Sequence, residues 1–368
     1  MRRALVVVFL ALAAPATAGA TIPLVAHPAT PRYGAQVTLS GTTAPGDSVQ
    51  LFYNGAPAGS PVTADGSGNF GFAFPATQPG AYHVQTATDA SDPVNLKLLP
   101  ILTRRMTGLR YPGNRLFLKG RLRPASAGAL TLKVGTRDWH VHVRQNGRYA
   151  ARVPTDRLGR HRARLVLSPH AGYKGITARK HYRILAPYLS TGARGKPVLA
   201  LERRLSALRH VLKGGANRHF AYDTYEAVLA FQKVHGMART GRVTRDVWKV
   251  LGRAKVPEAR RKGTHVEVSK TLQVMYEVRK GKVVRIVHVS TGATGNTPVG
   301  KWHVYGKVPG LNSHGMYYSL FFTGAFAIHG YASVPPYPAS HGCVRTPMWF
   351  APGFYDRWAV GATVYIFA

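Results

Sequence analysis

Thiols are almost absent from this chain. Cys343 is the one cysteine in 368 residues, so no intrachain disulfide framework forms, and no cysteine follows the N-terminal segment to carry a lipid. Acidic side chains are scarce as well. Asp and Glu number 14 against 50 Lys and Arg, for a formal net charge of +36. A chain this basic seeks polyanions. Beyond the N-terminus no apolar run reaches the roughly 20 residues of a membrane-spanning helix, so no stable span is expected.

The N-terminus points to a compartment. Arg2 and Arg3 precede an apolar run from Ala4 to Ala14, and Ala16-Thr17-Ala18 fits a small-residue cleavage site. This is a signal-peptide pattern over residues 1–20, set aside from the fold, and it predicts export to the cell wall, periplasm or extracellular space. Export, with no nucleic-acid motif in the sequence, argues against nucleic acid as the polyanion and leaves an anionic wall polymer. A lone thiol in an oxidising compartment is a liability, which asks what Cys343 is for.

Residues 21–186 repeat. Gly41, Gly68 and Gly80 recur as Gly120, Gly147 and Gly159, each 79 residues on, and Phe70 recurs as Tyr149. Short alternating strands, such as Ser48 to Tyr53 and Ala129 to Val134, are separated by Gly, Pro, Asn and Asp turns. The spacing predicts two small immunoglobulin-like β-sandwiches, residues 21–98 and 99–186. Their charges differ sharply: two basic and four acidic side chains in the first, 20 and two in the second.

Between 187 and 253 the period becomes helical. Val198, Leu201, Leu205, Leu208 and Leu212 follow three-to-four spacing. A second helix is expected through Ala227 to Val234, with Asp223 as its cap and Gly236 at its end. Thr244 is expected to cap a third, containing Val247, Trp248 and Leu251. The run Tyr225 to Met237, with Ala230-Phe231-Gln232, and the run Gly241 to Leu251 resemble the three-helix peptidoglycan-binding module. A plain helical spacer with the same aromatics as core is the alternative. Residues 254–263 read as a linker. From 264 to 368 the period is two, apart from a helix allowed near Pro347 to Trp358. The whole is mainly β and multidomain.

The chemistry concentrates at Ala327-Ile328-His329-Gly330 and, ten residues on, at Ser340-His341-Gly342-Cys343-Val344-Arg345. A free thiol, with a pKa of about 8.5, needs a base or a positive neighbour to act as a nucleophile at neutral pH. Phe326 to Ile328 can end a strand that aims His329 into a cleft. Gly330 and Gly342 would let backbone approach a substrate closely, and amides around Gly342 and Cys343 could donate to an oxyanion. Zinc could draw on the two histidines and Cys343, but their spacing fits no structural-zinc pattern. A papain-like arrangement needs a histidine after the cysteine, and none follows Cys343.

These two stretches resemble the catalytic domain of the L,D-transpeptidases, over residues 264–368. The resemblance implies Cys343 as nucleophile and His329 as base, with His341 in the catalytic motif. Ser340, Gly342, Gly330 and Arg345 fall at the oxyanion and substrate positions. Ser290-Thr291-Gly292 with Thr297-Pro298-Val299-Gly300 looks like the family's substrate-side turn. The segment from Gly330 to Ala339, with Pro335, Pro336 and Pro338, is shorter than in some members. The implied activity is a 3→3 cross-linking transfer on peptidoglycan stem peptides through a Cys343 thioester, with no metal and no cofactor. An L,D-carboxypeptidase of the same fold and a non-catalytic wall-binding protein are the alternatives. Glu267, Glu277 and Asp356 are the only carboxylates in this region, and none is near the motif. A backbone carbonyl, that of Gly330, is therefore expected to orient His329.

Overall fold

The computed structural model describes residues 21–368, so the signal-peptide segment lies outside the described residues. These residues are mostly β, with four α-helices. The chain divides into two compact units. One holds the residues up to Arg105 with Lys119–Ala151 and Arg164–Arg179. The other holds Met106–Leu118, Arg152–Ala163 and Lys180–Ala368. The second repeat is thus shared between the units.

In the first unit, strands Leu24–His27, Gln36–Thr42 and Asn69–Pro75 form one sheet. Ser48–Tyr53, Gly80–Gln85 and Val94–Leu96, with two short strands, form another. Alternation drives this: Val37 and Leu39 point inward from one strand, Val49 and Leu51 from another, into a core shared with Phe70, Phe72, Tyr82 and Val84. Each such side chain contributes about 1.5–3 kcal/mol on full burial.

The 79-residue repeat is visible in atomic detail. The Gly68 carbonyl accepts from Thr43 N at 2.9 Å, and the Gly147 carbonyl accepts from Leu122 N at 2.9 Å. Both glycines take positive φ, 79° and 80°. A side chain at Gly68 would meet the Thr43 carbonyl, and one at Gly147 the Leu122 carbonyl. Gly41 lies against the Phe70 ring as Gly120 lies against the Tyr149 hydroxyl. Glycine, turn and aromatic therefore recur as one steric unit.

In the second unit, α1 (Lys196–Ala207), α2 (Tyr222–Val234) and α3 (Arg245–Arg253) surround a core of Val198, Leu201, Leu205, Phe231 and Trp248. Helix α1 stops before the expected Leu212, because Arg209 takes a positive φ of 74°. Thr244 caps α3 through Val247 N, as expected. Asp223 does not cap α2. It sits inside the first turn, and its carboxylate accepts from Lys213 N at 2.9 Å. Gln232, buried beside Phe231, clasps the turn before α3, donating to the Arg242 carbonyl at 2.9 Å and accepting from Gly241 N at 2.9 Å.

The last residues of this unit build two sheets. The first runs in the order Lys282–His288, Val274–Arg279, His265–Ser269, Thr363–Phe367, Gly300–His303. The second runs Gly306–Leu311, Tyr317–Thr323, Phe326–Tyr331, Val344–Pro347. Val266, Val268, Val364 and Ile366 of the first sheet share a core with Leu320, Phe322, Ile328 and Val344 of the second. Helix α4 (Ala351–Arg357) follows the second sheet and adds Phe354 to that core.

Candidate active site

The strand Phe326–Tyr331 pairs in parallel with Val344–Pro347, with Ile328 opposite Val344 and His329 opposite Arg345. A parallel pair needs a crossover, here the proline-rich segment after Tyr331 and the turn Ser340 to Cys343. Cys343 is thereby delivered to the position just before its strand, level with Ala327 and two residues along from His329. The Ala327 amide points at its sulfur, N to Sγ 3.4 Å.

Side chains and backbone fix that turn. Ser340 Oγ donates to the Cys343 carbonyl at 2.6 Å and accepts from Gly342 N at 3.0 Å. Thr297 Oγ1 donates to the Gly342 carbonyl at 2.7 Å and Asn296 Nδ2 to the His341 carbonyl at 2.8 Å. The segment read from sequence as a substrate-side turn thus braces the backbone beneath the thiol. The two site glycines are required by the local packing. A Cβ on Gly342, at φ 128°, would fall 2.1 Å from the Phe326 ring, and one on Gly330 would fall 2.7 Å from the Ala351 Cβ. In each case the space a side chain would need is taken by the protein's own side chains. Gly342 N is spent on Ser340. The Cys343 amide, with no acceptor among the described residues, is the donor left for an oxyanion.

His329 is buried, and its Nδ1 lies 2.9 Å from the Gly330 carbonyl. A carbonyl only accepts, so Nδ1 carries the hydrogen and Nε2 is left as the basic nitrogen. No carboxylate takes this place: Glu267 binds His265 at 2.8 Å, and Glu277 is held by Arg357 at 2.7 Å. Burial pushes His329 down to about 4, with the Gly330 carbonyl opposing and Arg345 assisting. Burial pushes the Cys343 thiol up, against smaller opposite effects of Ala327 N and Arg345. The resting pair at neutral pH is a thiol and a neutral imidazole.

Both groups open on one cleft of about 470 Å³, which also receives Ser340, His341 and Arg345. Arg345 stacks over the Tyr331 ring, 4.1 Å from its centre. Asn312, His314 and Met316, from the turn between two strands of the second sheet, complete the wall. Nothing in their spacing marks them, although they lie only 13 to 17 residues before His329. Among the described residues no cluster of three or more His, Cys, Asp or Glu is placed to hold a metal ion.

Residues 263–366 match the family model of the L,D-transpeptidase catalytic domain, and residues 194–251 match that of a putative peptidoglycan binding domain. A comparison with curated proteins finds no match. Among solved structures, an L,D-transpeptidase from Xylanimonas cellulosilytica is 33% identical, covering 50% of this chain and 99% of that one, with a TM-score of 0.47. An L,D-transpeptidase from Stackebrandtia nassauensis is 24% identical over 49% of this chain and 95% of that one, TM-score 0.31. The catalytic domain of the E. faecium L,D-transpeptidase acylated by ertapenem is 25% identical over 30% of this chain and 100% of that one, TM-score 0.25. The catalytic-domain match encloses both His329 and Cys343, so residues 263–366 belong to the L,D-transpeptidase family.

Proposed function

We propose that the protein is an exported cell-wall enzyme that forms 3→3 cross-links between peptidoglycan stem peptides through a Cys343 thioester. The observation that carries this reading is the 2.9 Å contact between His329 Nδ1 and the Gly330 carbonyl. The Nδ1 hydrogen is committed to that carbonyl, so Nε2 is basic in the cleft that holds the only thiol.

His329 Nε2 takes the thiol proton as Cys343 Sγ attacks the carbonyl between the third residue and D-Ala of a tetrapeptide stem. The Cys343 amide faces the developing oxyanion. Collapse breaks the amide bond, and His329 returns the proton to the departing D-Ala nitrogen. An amine on the third residue of a second stem then attacks the thioester, gives its proton to His329, and leaves the thiol restored. The energy of the broken peptide bond is carried into the new one, so no cofactor is required. Ser340 holds the nucleophile turn, and His341 and Arg345 line the substrate side. Incubation of the mature protein with purified tetrapeptide muropeptides tests this: dimers are expected, and tripeptides without dimers would assign hydrolysis, the carboxypeptidase reading, instead.

The pH dependence follows from the base. A histidine held near 4 stays neutral, and able to accept a proton, well below its ordinary 6.5. The second-order rate of acylation by a carbapenem is expected to hold its plateau through pH 6 and to fall only as pH approaches about 4. A midpoint near 6.5 would mean that His329 is solvated and not the buried base.

The positive charge has its own role in this reading. Arg160, Arg162, His181 and Arg183 are exposed around a groove of about 700 Å³, alternating with the buried Ala163, Tyr182 and Ile184. This face fits an anionic wall polymer, through phosphates or stem carboxylates. Such contacts are screened beyond about 8 Å at physiological ionic strength. Sedimentation of the protein with purified sacculi is expected to weaken steeply with salt, and to weaken at low salt in an Arg160→Glu, Arg162→Glu, Arg183→Glu variant. Binding indifferent to salt and to these changes would reduce the patch to a solvated surface.

A further inference from the structure

The segment that joins His329 to the nucleophile turn has little means of holding itself. Pro335, Pro336 and Pro338 bring no N–H, and residues 332–339 form no strand. Its carbonyls are held by side chains from elsewhere. His288 Nε2 lies 2.7 Å from the Val334 carbonyl, Arg239 Nη1 donates to the Pro336 carbonyl at 2.8 Å, and Ser290 Oγ donates to the Tyr337 carbonyl at 2.7 Å.

Two of these three contacts trace back to the helical module. Arg239 lies five residues beyond α2, and its Nη2 also donates to the Thr271 carbonyl at 3.0 Å, so one guanidinium ties the proline-rich segment to the first sheet. His288 is backed by Lys233, from the last turn of α2. Lys233 is 1% exposed, and its Nζ reaches the Gln273 carbonyl at 2.9 Å, the Val289 carbonyl at 3.0 Å and His288 Nδ1 at 2.6 Å. Because His288 Nε2 faces a carbonyl, it must carry hydrogen. Nδ1 is then left to accept from Lys233 Nζ. A lysine buried this deeply is costly to assemble, and burial pushes Lys233 down to about 6. A helical spacer does not need one.

The same helix reaches the chain just after the nucleophile strand. Glu226 accepts from Trp349 Nε1 at 2.6 Å, and Trp349 immediately precedes Phe350 and α4, the helix that packs on Gly330. α2 and the residues after it therefore grip the chain on both sides of Cys343.

We infer that the helical module is a working part of the catalytic centre, with Lys233, acting through His288, and Arg239 as positioning residues that set the placement of His329 against Cys343. This rests on the assignment of those two groups as base and nucleophile. Neither positioning residue is among those lining the cleft, so their removal is expected to affect the rate of acyl transfer and not the binding of substrate. Misplacement by about 1 Å is worth roughly 100-fold in rate.

The test uses the full-length protein and its Arg239→Ala, Arg239→Lys and Lys233→Met variants. Acylation by a carbapenem is followed to saturation, and rates are expressed per site that finally acylates, so misfolded protein does not count. The expected result is a fall of 10-fold or more in the limiting rate for Arg239→Ala, with the half-saturating concentration within about twofold of the parent. Arg239→Lys, which can reach one of the two carbonyls, recovers part of the loss. Lys233→Met loses at least as much as Arg239→Ala. Arg239 is only half-buried, so Arg239→Ala decides the matter alone if Lys233→Met does not fold. Parent-like limiting rates per site in Arg239→Ala overturn the inference, as does a loss confined to half-saturation. A parent that acylates away from Cys343 overturns the assignment beneath it, and that result is read without any variant.

Discussion

Cys343→Ala is expected to slow D-Ala release from tetrapeptide stems on the order of 10⁶-fold, the scale of deleting an acyl-enzyme nucleophile. No second thiol exists to substitute. The same variant should take up no carbapenem, whereas the parent gains one drug mass per chain. The variant should fold normally. The Cys343 side chain is only partly buried, its sulfur makes contacts of 3.4 and 3.8 Å, and its turn is held by Ser340, Thr297 and Asn296. D-Ala release at the parental rate from a folded Cys343→Ala protein would remove Cys343 from the chemistry altogether.

The second large effect belongs to the base. His329→Ala is expected to slow acylation by roughly 10²–10⁴-fold, the usual worth of a positioned proton acceptor. His341→Ala should cost less. His341 is exposed, and the hydrogen bond it receives from Asn296 is to its backbone carbonyl and not to its ring. Stopped-flow acylation of the two variants under one set of conditions separates the roles. Equal losses, or a larger one at His341, would exchange them. Loss of the imidazole also removes an internal bond to Gly330, so folded fraction is to be checked by near-ultraviolet circular dichroism.

Much of the architecture was readable in the order of residues. The repeat was legible because its glycines are sterically required: Gly68 and Gly147 sit where a carbonyl leaves no room for a Cβ, and a constant offset of 79 preserves that need. Thr244 was legible as a cap because capping is local. The Gly330 carbonyl as the partner of His329 was reachable by exclusion, since the region offers so few carboxylates.

What was not legible depends on contacts between distant segments. Asp223 has the sequence look of a helix cap, but α2 begins one residue earlier and the carboxylate is taken by Lys213 N. Gly330 and Gly342 have the look of substrate-facing glycines, and only tertiary packing reveals Ala351 and Phe326 against them. Lys233 is the extreme case. In sequence it is one more lysine on a helix in a very basic chain, yet it is fully buried with three partners between residues 273 and 289. Helical periodicity assigns a residue to a face but does not say what covers that face.

The most direct test is the mass of the enzyme during turnover. Mature protein is mixed with a tetrapeptide donor lacking an acceptor amine, quenched in acid, weighed intact and mapped by proteolysis. A single adduct equal to the donor less D-Ala is expected, carried by the peptide that contains Cys343 and discharged by hydroxylamine, as a thioester is. Release of D-Ala with no adduct on Cys343 under any quench time, or an adduct on another residue, would contradict it.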